Sequence, residues 1–237
     1  MVKEELSSAD RAKAIGAFLV AVLVIGTALH YTLPSQHNPL RTLDVRAPIG
    51  FATYGKLTRA KYSPQACFAA LDAGGLEYER IPDRETGRNC GFRNALALQK
   101  SLTPYGGAAV LRMTCAQAAA VHIWERHVAR PLAEEILGAS LTRIDTFGTF
   151  ACRNVAGSRR RSEHATANAI DVSGFRLDDG RIIRVIDHWR KDTPEGRFLR
   201  EVFQGGCRLF SVSLGPDYNA AHRDHFHFDM GPGDTCR

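Results

Sequence analysis

The chain has 237 residues, of which 44% are hydrophobic and 24% are charged, and its formal net charge is +6. These proportions are typical of a globular protein that can bury a core, and they exclude a disordered chain. A small positive excess suits an anionic partner such as a cell-wall polymer, a membrane surface or a nucleic acid, but ordinary solubility is the simpler explanation.

An apolar run near the N-terminus approaches the thickness of a bilayer. Residues 14–29 contain no charged side chain, and extending the run to residue 33 brings it near the usual length of a transmembrane helix. Basic residues just before the run favour a cytoplasmic N-terminus and an exported body. We therefore predict a cytoplasmic tail over residues 1–13 and a transmembrane signal anchor over residues 14–33. A secretory signal peptide cleaved after Ala28 is the alternative.

The next segment has the composition of a linker. Residues 34–60 carry several proline and polar residues without a clear apolar period, which predicts a connection between the membrane and a folded domain over residues 61–237. Helices are predicted in this domain where a cap precedes apolar residues at spacings of three and four. The first helix begins at Pro64. The second runs from Thr114 to just before Gly138 and is interrupted at Pro131, and the third runs from Pro194 to Gly205.

Between and after these helices the apolar pattern changes to the alternation of strands. The predicted strands cover residues 141–150, a hairpin of residues 171–177 and 181–185 closed on an Asp-Gly turn, and residues 210–214. We therefore predict an α+β fold with a small antiparallel sheet, flanked by helices and preceded by one transmembrane helix.

Six cysteines are spread singly along the chain, and none belongs to a C-x-x-C pair, so zinc-ribbon and thioredoxin-type sites are excluded. They are Cys67, Cys90, Cys115, Cys152, Cys207 and Cys236. An even number of single cysteines in an exported domain predicts three disulfides, whose pairing the sequence leaves open. Buried free thiols in a cytosolic protein are the alternative.

The last histidine cluster is the feature around which the candidate chemistry is organised. Three histidines, His222, His225 and His227, fall within six residues. Strand alternation puts His225, His227 and Asp229 on one face, while two phenylalanines between them point into a core. Two other histidines on the second predicted helix, His122 and His127, are expected to be partly exposed and not to bind metal.

An upstream stretch supplies partners for this cluster. His164 and Asp171 lie seven residues apart, and with His227 they supply two imidazoles and a carboxylate, a common ligand set for zinc with an open fourth position. Such a zinc activates water near neutral pH, and His225 is placed to act as the base. The same ligand set suits Fe(II) in an oxygenase, although export and disulfides argue against that interpretation.

These stretches resemble the motifs of a known group of enzymes. The segment Ser162-x-His164-x-x-Ala167-x-Ala169-x-Asp171 resembles the S-x-H-x-x-G-x-A-x-D signature of the zinc D-alanyl-D-alanine carboxypeptidase, lysostaphin and hedgehog-type fold. The cluster of three histidines is similar to the terminal cluster of murein endopeptidases. Residues 62–237 resemble most closely the bacterial extensin-like C-terminal domain family. The elements that carry this resemblance include Phe150-Ala151-Cys152-Arg153 and Leu214-Gly215-Pro216-Asp217-Tyr218.

The resemblance implies a role for each site residue. It implies zinc held by His164, Asp171 and His227, catalytic roles for His225, His222 and Arg153, and substrate binding by Arg153 and Ser162. Asp224 ranks below His225 as a base because strand alternation sends it to the other face. Asp229 is expected to accept a hydrogen bond from an imidazole or to be a surface acid.

The resemblance also implies a function and a location. The expected activity is a zinc metallopeptidase of the D,D-carboxypeptidase or endopeptidase type that hydrolyses amide bonds in peptidoglycan. Its expected partners are peptidoglycan and, through the N-terminal helix, the inner membrane, with no nucleic acid and with the C-terminal domain in the periplasm. The alternative is a non-catalytic zinc-containing module that binds or scaffolds the cell wall.

One position departs from the signature. Ala167 stands where the broader signature has glycine. If this position needs a positive φ, alanine is strained there, and Asn168 is expected to absorb the turn.

Overall fold

A computed structural model describes residues 7–87 and 89–237 of the chain. The predicted tail over residues 1–13 therefore lies partly outside the described residues. Helix α1, Ser8–Thr32, begins at the cap Ser7, whose side chain accepts a hydrogen bond from the Asp10 amide. None of its residues is buried, and it is long and apolar enough to cross a membrane, as a signal sequence also would be.

The segment predicted as a linker contains helix α2, Thr53–Ala60. Its Leu57 is fully buried, and its Lys56 donates hydrogen bonds to the carbonyls of Ser35 and Thr42 at 2.6 and 3.3 Å. The folded part of the chain therefore begins well before residue 61. Sequence periodicity missed this helix because two turns with one leucine give too short a pattern to recognise.

The other helices follow the predicted caps. Helix α3 is Pro64–Gly74, α4 is Cys115–Trp124, α5 is Arg130–Leu132, α6 is Val185–His188 and α7 is Pro194–Gly206. Thr114 and Thr193 accept hydrogen bonds from the first turns of α4 and α7, which confirms both caps. The predicted interruption near Pro131 takes the form of π-helical turns on either side of α5, Glu125–Ala129 and Ala133–Leu137.

Twelve strands in the described residues form three sheets. The strands are β1 Glu77–Arg80, β2 Arg84–Glu85, β3 Gly91–Phe92, β4 Ala95–Lys100, β5 Tyr105–Gly106, β6 Leu111–Thr114, β7 Leu141–Gly148, β8 Ala169–Leu177, β9 Ile182–Arg184, β10 Val212–Leu214, β11 Phe226–Asp229 and β12 Thr235–Cys236. The largest sheet has the order β12-β10-β11-β8-β7-β5, with β9 also paired to β8. Smaller sheets contain β1-β4-β6 and β2-β3.

This architecture confirms a mixed α+β fold and corrects one detail of the prediction. The large sheet is mixed and not wholly antiparallel, because β5 pairs with β7 and β12 pairs with β10 in parallel. Both added strands are two residues long and lie at the sheet edges, so they carry no alternation from which sequence analysis could place them. The predicted hairpin of β8 and β9 is antiparallel, as expected.

The core supports the strand that carries the histidines. Phe226 and Phe228 are fully buried, as the alternation predicted. The Phe228 ring stacks on Phe210 with centroids 4.7 Å apart and lies 5.5 Å from Trp124 of α4. Because this apolar side of β11 is anchored between helices, its polar side is held rigidly.

All six cysteines are paired, which confirms three disulfides. The pairs are Cys67–Cys115, Cys90–Cys152 and Cys207–Cys236. The second pair fixes the residue directly before Arg153, and the third ties the end of α7 to β12. The disulfides therefore brace the segments that surround β11 and the adjoining strands.

Candidate metal centre

Two neighbouring strands bring the candidate ligands face to face. β8 and β11 are antiparallel, and their register puts Asp171 directly opposite His227. Side chains opposite one another on a sheet lie within contact distance. The third residue, His164, lies in a short 3-10 turn, Glu163–Thr166, whose cap Ser162 accepts a hydrogen bond from the His164 amide at 3.3 Å.

The three side chains converge on one point. The Asp171 Oδ1 atom lies 3.0 Å from His164 Nε2 and 2.9 Å from His227 Nδ1. The two ring nitrogens are 3.2 Å apart, and the three candidate ligand atoms all lie within 4.8 Å of one another. His164, Asp171 and His227 are only 2%, 6% and 7% exposed. Such a buried cluster of two imidazoles and a carboxylate has the donor chemistry that zinc prefers.

The outer nitrogen of each ring is also held. His164 Nδ1 lies 3.2 Å from the Thr149 carbonyl, which only accepts hydrogen bonds. Nδ1 therefore carries a proton, and loss of the proton on Nε2 would turn the lone pair of that nitrogen toward the cluster. His227 Nε2 lies 2.8 Å from Asp229 Oδ2, and the other Asp229 oxygen accepts from the Gly231 amide at 2.8 Å. This arrangement of outer partners is typical of histidines that bind metals.

The electrostatics of the cluster favour a positive charge at its centre. Burial raises the pKa of Asp171, but hydrogen bonds from His164 and His227 outweigh burial and hold that pKa well below its usual range. Burial lowers the pKa of His227, but its bonds to Asp171 and Asp229 outweigh burial and raise the pKa to about 9. Two carboxylates thus draw a cation, either a proton or a metal ion, to His227.

A cleft of about 380 Å³ opens beside the cluster. His225 lies at its edge, with Nε2 3.6 Å from Asp171 Oδ1 and Nδ1 2.9 Å from Asp224 Oδ1. The Asp224 carboxylate only accepts hydrogen bonds, so Nδ1 donates to it, and Nε2 faces the cluster. Sequence reasoning missed this role of Asp224, because β11 begins only at Phe226 and strand alternation does not apply before it.

Two further predicted residues line the same cleft. The ring of His222 lies 5.2 Å from that of His225 and 5.9 Å from that of His227. Burial, followed by the charges of those two rings, lowers the pKa of His222 to about 4, so the ring is neutral at physiological pH. Arg153 is half-exposed, and its Nη2 lies 3.6 Å from Asp171 Oδ2. Its guanidinium therefore borders both the cleft and the carboxylate.

Phe147 is a neighbour that sequence analysis did not single out. Its exposed ring lies edge-on to His225 with centroids 5.5 Å apart. A register irregularity of β7 lies at this residue, between Thr146 and Gly148. Nothing in the sequence pattern distinguishes such a phenylalanine from a core residue. The role of the Thr149 backbone carbonyl likewise leaves no mark in the sequence.

The departure at Ala167 falls in a left-handed turn. Ala167 itself adopts the left-handed conformation, with φ 55° and ψ 32°, and it is fully buried. The expectation that Asn168 absorbs the turn is wrong, because Asn168 is not among the described residues with positive φ. Its side chain instead bonds Glu163 at 2.9 Å and Thr114 at 3.0 Å. The turn that carries His164 thus places an alanine in a conformation that favours glycine.

One expectation about the other histidines is also wrong. His122 was predicted to be partly exposed, yet it is fully buried, with Nδ1 2.9 Å from Ser101 Oγ. Helix α4 is buried on all sides, so no exposed face was available to this side chain. His127 is partly exposed, as expected. Neither residue belongs to the His164 cluster.

Comparison with known proteins gives one match. A family model described as "Extensin-like protein C-terminus" matches residues 65–237, which includes the whole cluster and all six cysteines. Neither the curated proteins nor the solved structures include a match to the chain.

Proposed function

From the premise that this chain belongs to the extensin-like C-terminal family, we propose that it is a membrane-anchored periplasmic zinc hydrolase. Its substrates would be amide bonds in the stem peptides or cross-links of peptidoglycan. The observation that carries the proposal is the buried cluster of His164, Asp171 and His227, whose candidate ligand atoms all lie within 4.8 Å of one another. Helix α1, with its length and composition, supports the anchor.

The residues divide into ligands and cleft residues. His164, Asp171 and His227 would hold zinc, which when bound supplies a Lewis acid and lowers the pKa of water. His225 accepts a proton at Nε2 from the attacking water and returns it to the leaving amine, and Asp224 keeps the ring in the orientation that this transfer needs. Asp229 positions His227 from the opposite side.

Arginine side chains give the cleft its preference for anionic groups. Arg153 presents a planar fork of donors that can bind a peptide carboxylate or a developing oxyanion. Arg160 and Arg161 line the same cleft. Stem peptides of peptidoglycan end in carboxylates, so their charge matches this lining. His222, which is neutral at physiological pH, forms a wall of the cleft that does not repel these cations.

The catalytic proposal is tested on the full chain in detergent, loaded with zinc and incubated with purified muropeptides. His225→Ala should reduce the rate of hydrolysis by about 10²–10⁴-fold while zinc content is unchanged. His188→Ala, which changes a histidine of α6, is the matched control and should retain the wild-type rate. Zinc-loaded, disulfide-bonded wild-type protein that hydrolyses no muropeptide would contradict the catalytic role.

A second candidate is a non-catalytic zinc-containing module that binds or scaffolds the cell wall. The strain of an alanine at a positive φ, at the position where the resembling signature has glycine, favours this alternative. Sedimentation with cell-wall sacculi separates the two. Equal binding by wild type and His225→Ala, together with no hydrolysis by the wild type, would favour the module over the enzyme.

A further inference from the structure

We propose that the segment after α1 forms a juxtamembrane collar that rests in the headgroup layer of the bilayer. The collar consists of the exposed side chains of Tyr31, Leu40 and Phe51 together with Arg41 and Arg59. Its partner is a phospholipid surface. The proposal rests on the membrane anchor in the proposed function, but it is independent of the metal centre and of any hydrolysis.

The junction between α1 and the following chain is held by hydrogen bonds. The His30 carbonyl accepts from Asn38 Nδ2 at 2.9 Å and from Arg41 Nη2 at 3.3 Å. The same guanidinium lies 3.4 Å from the Tyr31 carbonyl. These contacts satisfy carbonyls at the C-terminus of the helix that have no partner within it. The helix end is therefore fixed to the chain that follows it and does not lead into a free tether.

That chain is in turn fixed to the folded body. Lys56 of α2 donates to the Ser35 carbonyl at 2.6 Å, and Arg59 donates to the Pro39 carbonyl at 2.9 Å. The Phe51 amide donates to His37 Nδ1 at 3.3 Å. Since α2 is anchored in the core through Leu57, the body inherits the orientation of α1.

The expected depth of the helix puts the collar at the membrane surface. Residues 14–33 form an apolar stretch whose length matches a hydrocarbon core of about 30 Å. The outer boundary of that core then falls near Leu33, between Tyr31 and Leu40 of the collar. Because the junction folds back on the helix end, Leu40 and Phe51 remain near this boundary.

The chemistry of the collar fits the interface between hydrocarbon and water. Leu40 is 75% exposed and Phe51 is 88% exposed, whereas the phenylalanines of the core are at most 5% exposed. Exposed apolar side chains beside a membrane span are typical of segments that insert shallowly among headgroups. Tyrosine at the helix end suits the same layer, and Arg41 and Arg59 supply positive charge for lipid phosphates.

The collar has a consequence for the protein as a whole. A body docked at the bilayer would hold the cleft at a fixed height and direction above the membrane. A body on a flexible linker would sample many orientations. The collar would thus limit a membrane-bound hydrolase to the cell-wall material within a narrow layer above the membrane.

The test uses the full chain in phospholipid vesicles, with tryptophan as a probe. Phe51→Trp should emit from a shallow apolar environment, and lipids brominated near the headgroup end of their acyl chains should quench the added emission to roughly half. The matched control is Ile182→Trp, an exposed position on β9, whose added emission should be little affected. The native Trp124 and Trp189 are buried and give both variants the same background.

Each outcome decides the proposal. Quenching of the Phe51→Trp probe but not of the Ile182→Trp probe supports the collar. Absence of quenching in protein that resists extraction by carbonate refutes the collar and leaves the anchor intact. Equal quenching of both probes refutes a specific docking face. Release of the protein by carbonate refutes the anchor and the collar together, while the zinc and muropeptide assays still test the hydrolase separately.

Discussion

Substitution of Asp229 is the sharpest test of the candidate metal centre, because His227 is the one predicted ligand to which Asp229 is hydrogen-bonded. Both of its oxygens accept hydrogen bonds, Oδ2 from His227 and Oδ1 from the Gly231 amide. In Asp229→Asn, one of these oxygens becomes an NH₂ group that faces a donor. The substitution keeps the shape of the side chain but removes its charge and one of its two bonds.

The expected effect on zinc affinity follows from the loss of that charge. The carboxylate raises the basicity of His227 and fixes the direction of its ring, and loss of such an outer partner typically costs about 10–100-fold in metal affinity. This corresponds to about 1.4–2.7 kcal/mol of binding free energy. The pKa of His227 in the metal-free variant should also fall below about 9, because one of the carboxylates that raise it is gone.

The assay is competition for zinc against a chelator of known affinity, with the fold monitored by near-UV circular dichroism. Asp234→Asn is the matched control, since it makes the same chemical change at an exposed position five residues away. The control should keep wild-type affinity. A folded Asp229→Asn variant that binds zinc as tightly as the wild type would refute the arrangement of outer partners inferred here.

The other predictions concern protonation and a cross-link. Zinc binding near pH 8 should release about one proton, because the pKa of His227 in the metal-free chain is raised to about 9. Calorimetry in buffers of different ionisation enthalpy measures this release. A binding enthalpy that does not depend on the buffer would contradict it. Burial lowers the pKa of His122 to about 4, so below pH 6.5 the unfolded chain binds this proton more readily than the folded chain. The free energy of unfolding should therefore fall by up to about 3 kcal/mol as the pH drops from 6.5 to 4, and His122→Gln should reduce this pH dependence. Replacing Cys90 and Cys152 by alanine should lower the free energy of unfolding by about 4 kcal/mol, because their bond closes a long loop; an unchanged denaturation midpoint would count against that estimate.

The elements with a clear period or cap could be predicted from the sequence. The alternation through Phe226 and Phe228 located β11 and its buried face, and Thr114 and Thr193 located two helix starts. The convergence of Asp171 with His227 could not be derived from spacing alone, because it depends on the register of two strands far apart in the chain. The residue types suggested the ligand set, and the resemblance to a known motif then supported it.

Other features left no local signal. The pairing of six single cysteines depends on tertiary structure alone, and β5 and β12 are too short to show a period. The burial of His122 arises because α4 lies inside the molecule, which local polarity does not reveal. Likewise, Asp224 holds His225 through a contact between sequence neighbours just before a strand, where the alternation argument fails.

The central claim is that His164, Asp171 and His227 bind one metal ion. Metal analysis of the full chain, purified in detergent without chelators and dialysed against trace zinc, tests it directly. The wild type should contain about one zinc per chain, and His164→Ala should contain little, whereas His188→Ala should match the wild type. Zinc content that is equal in the wild type and His164→Ala would contradict the account.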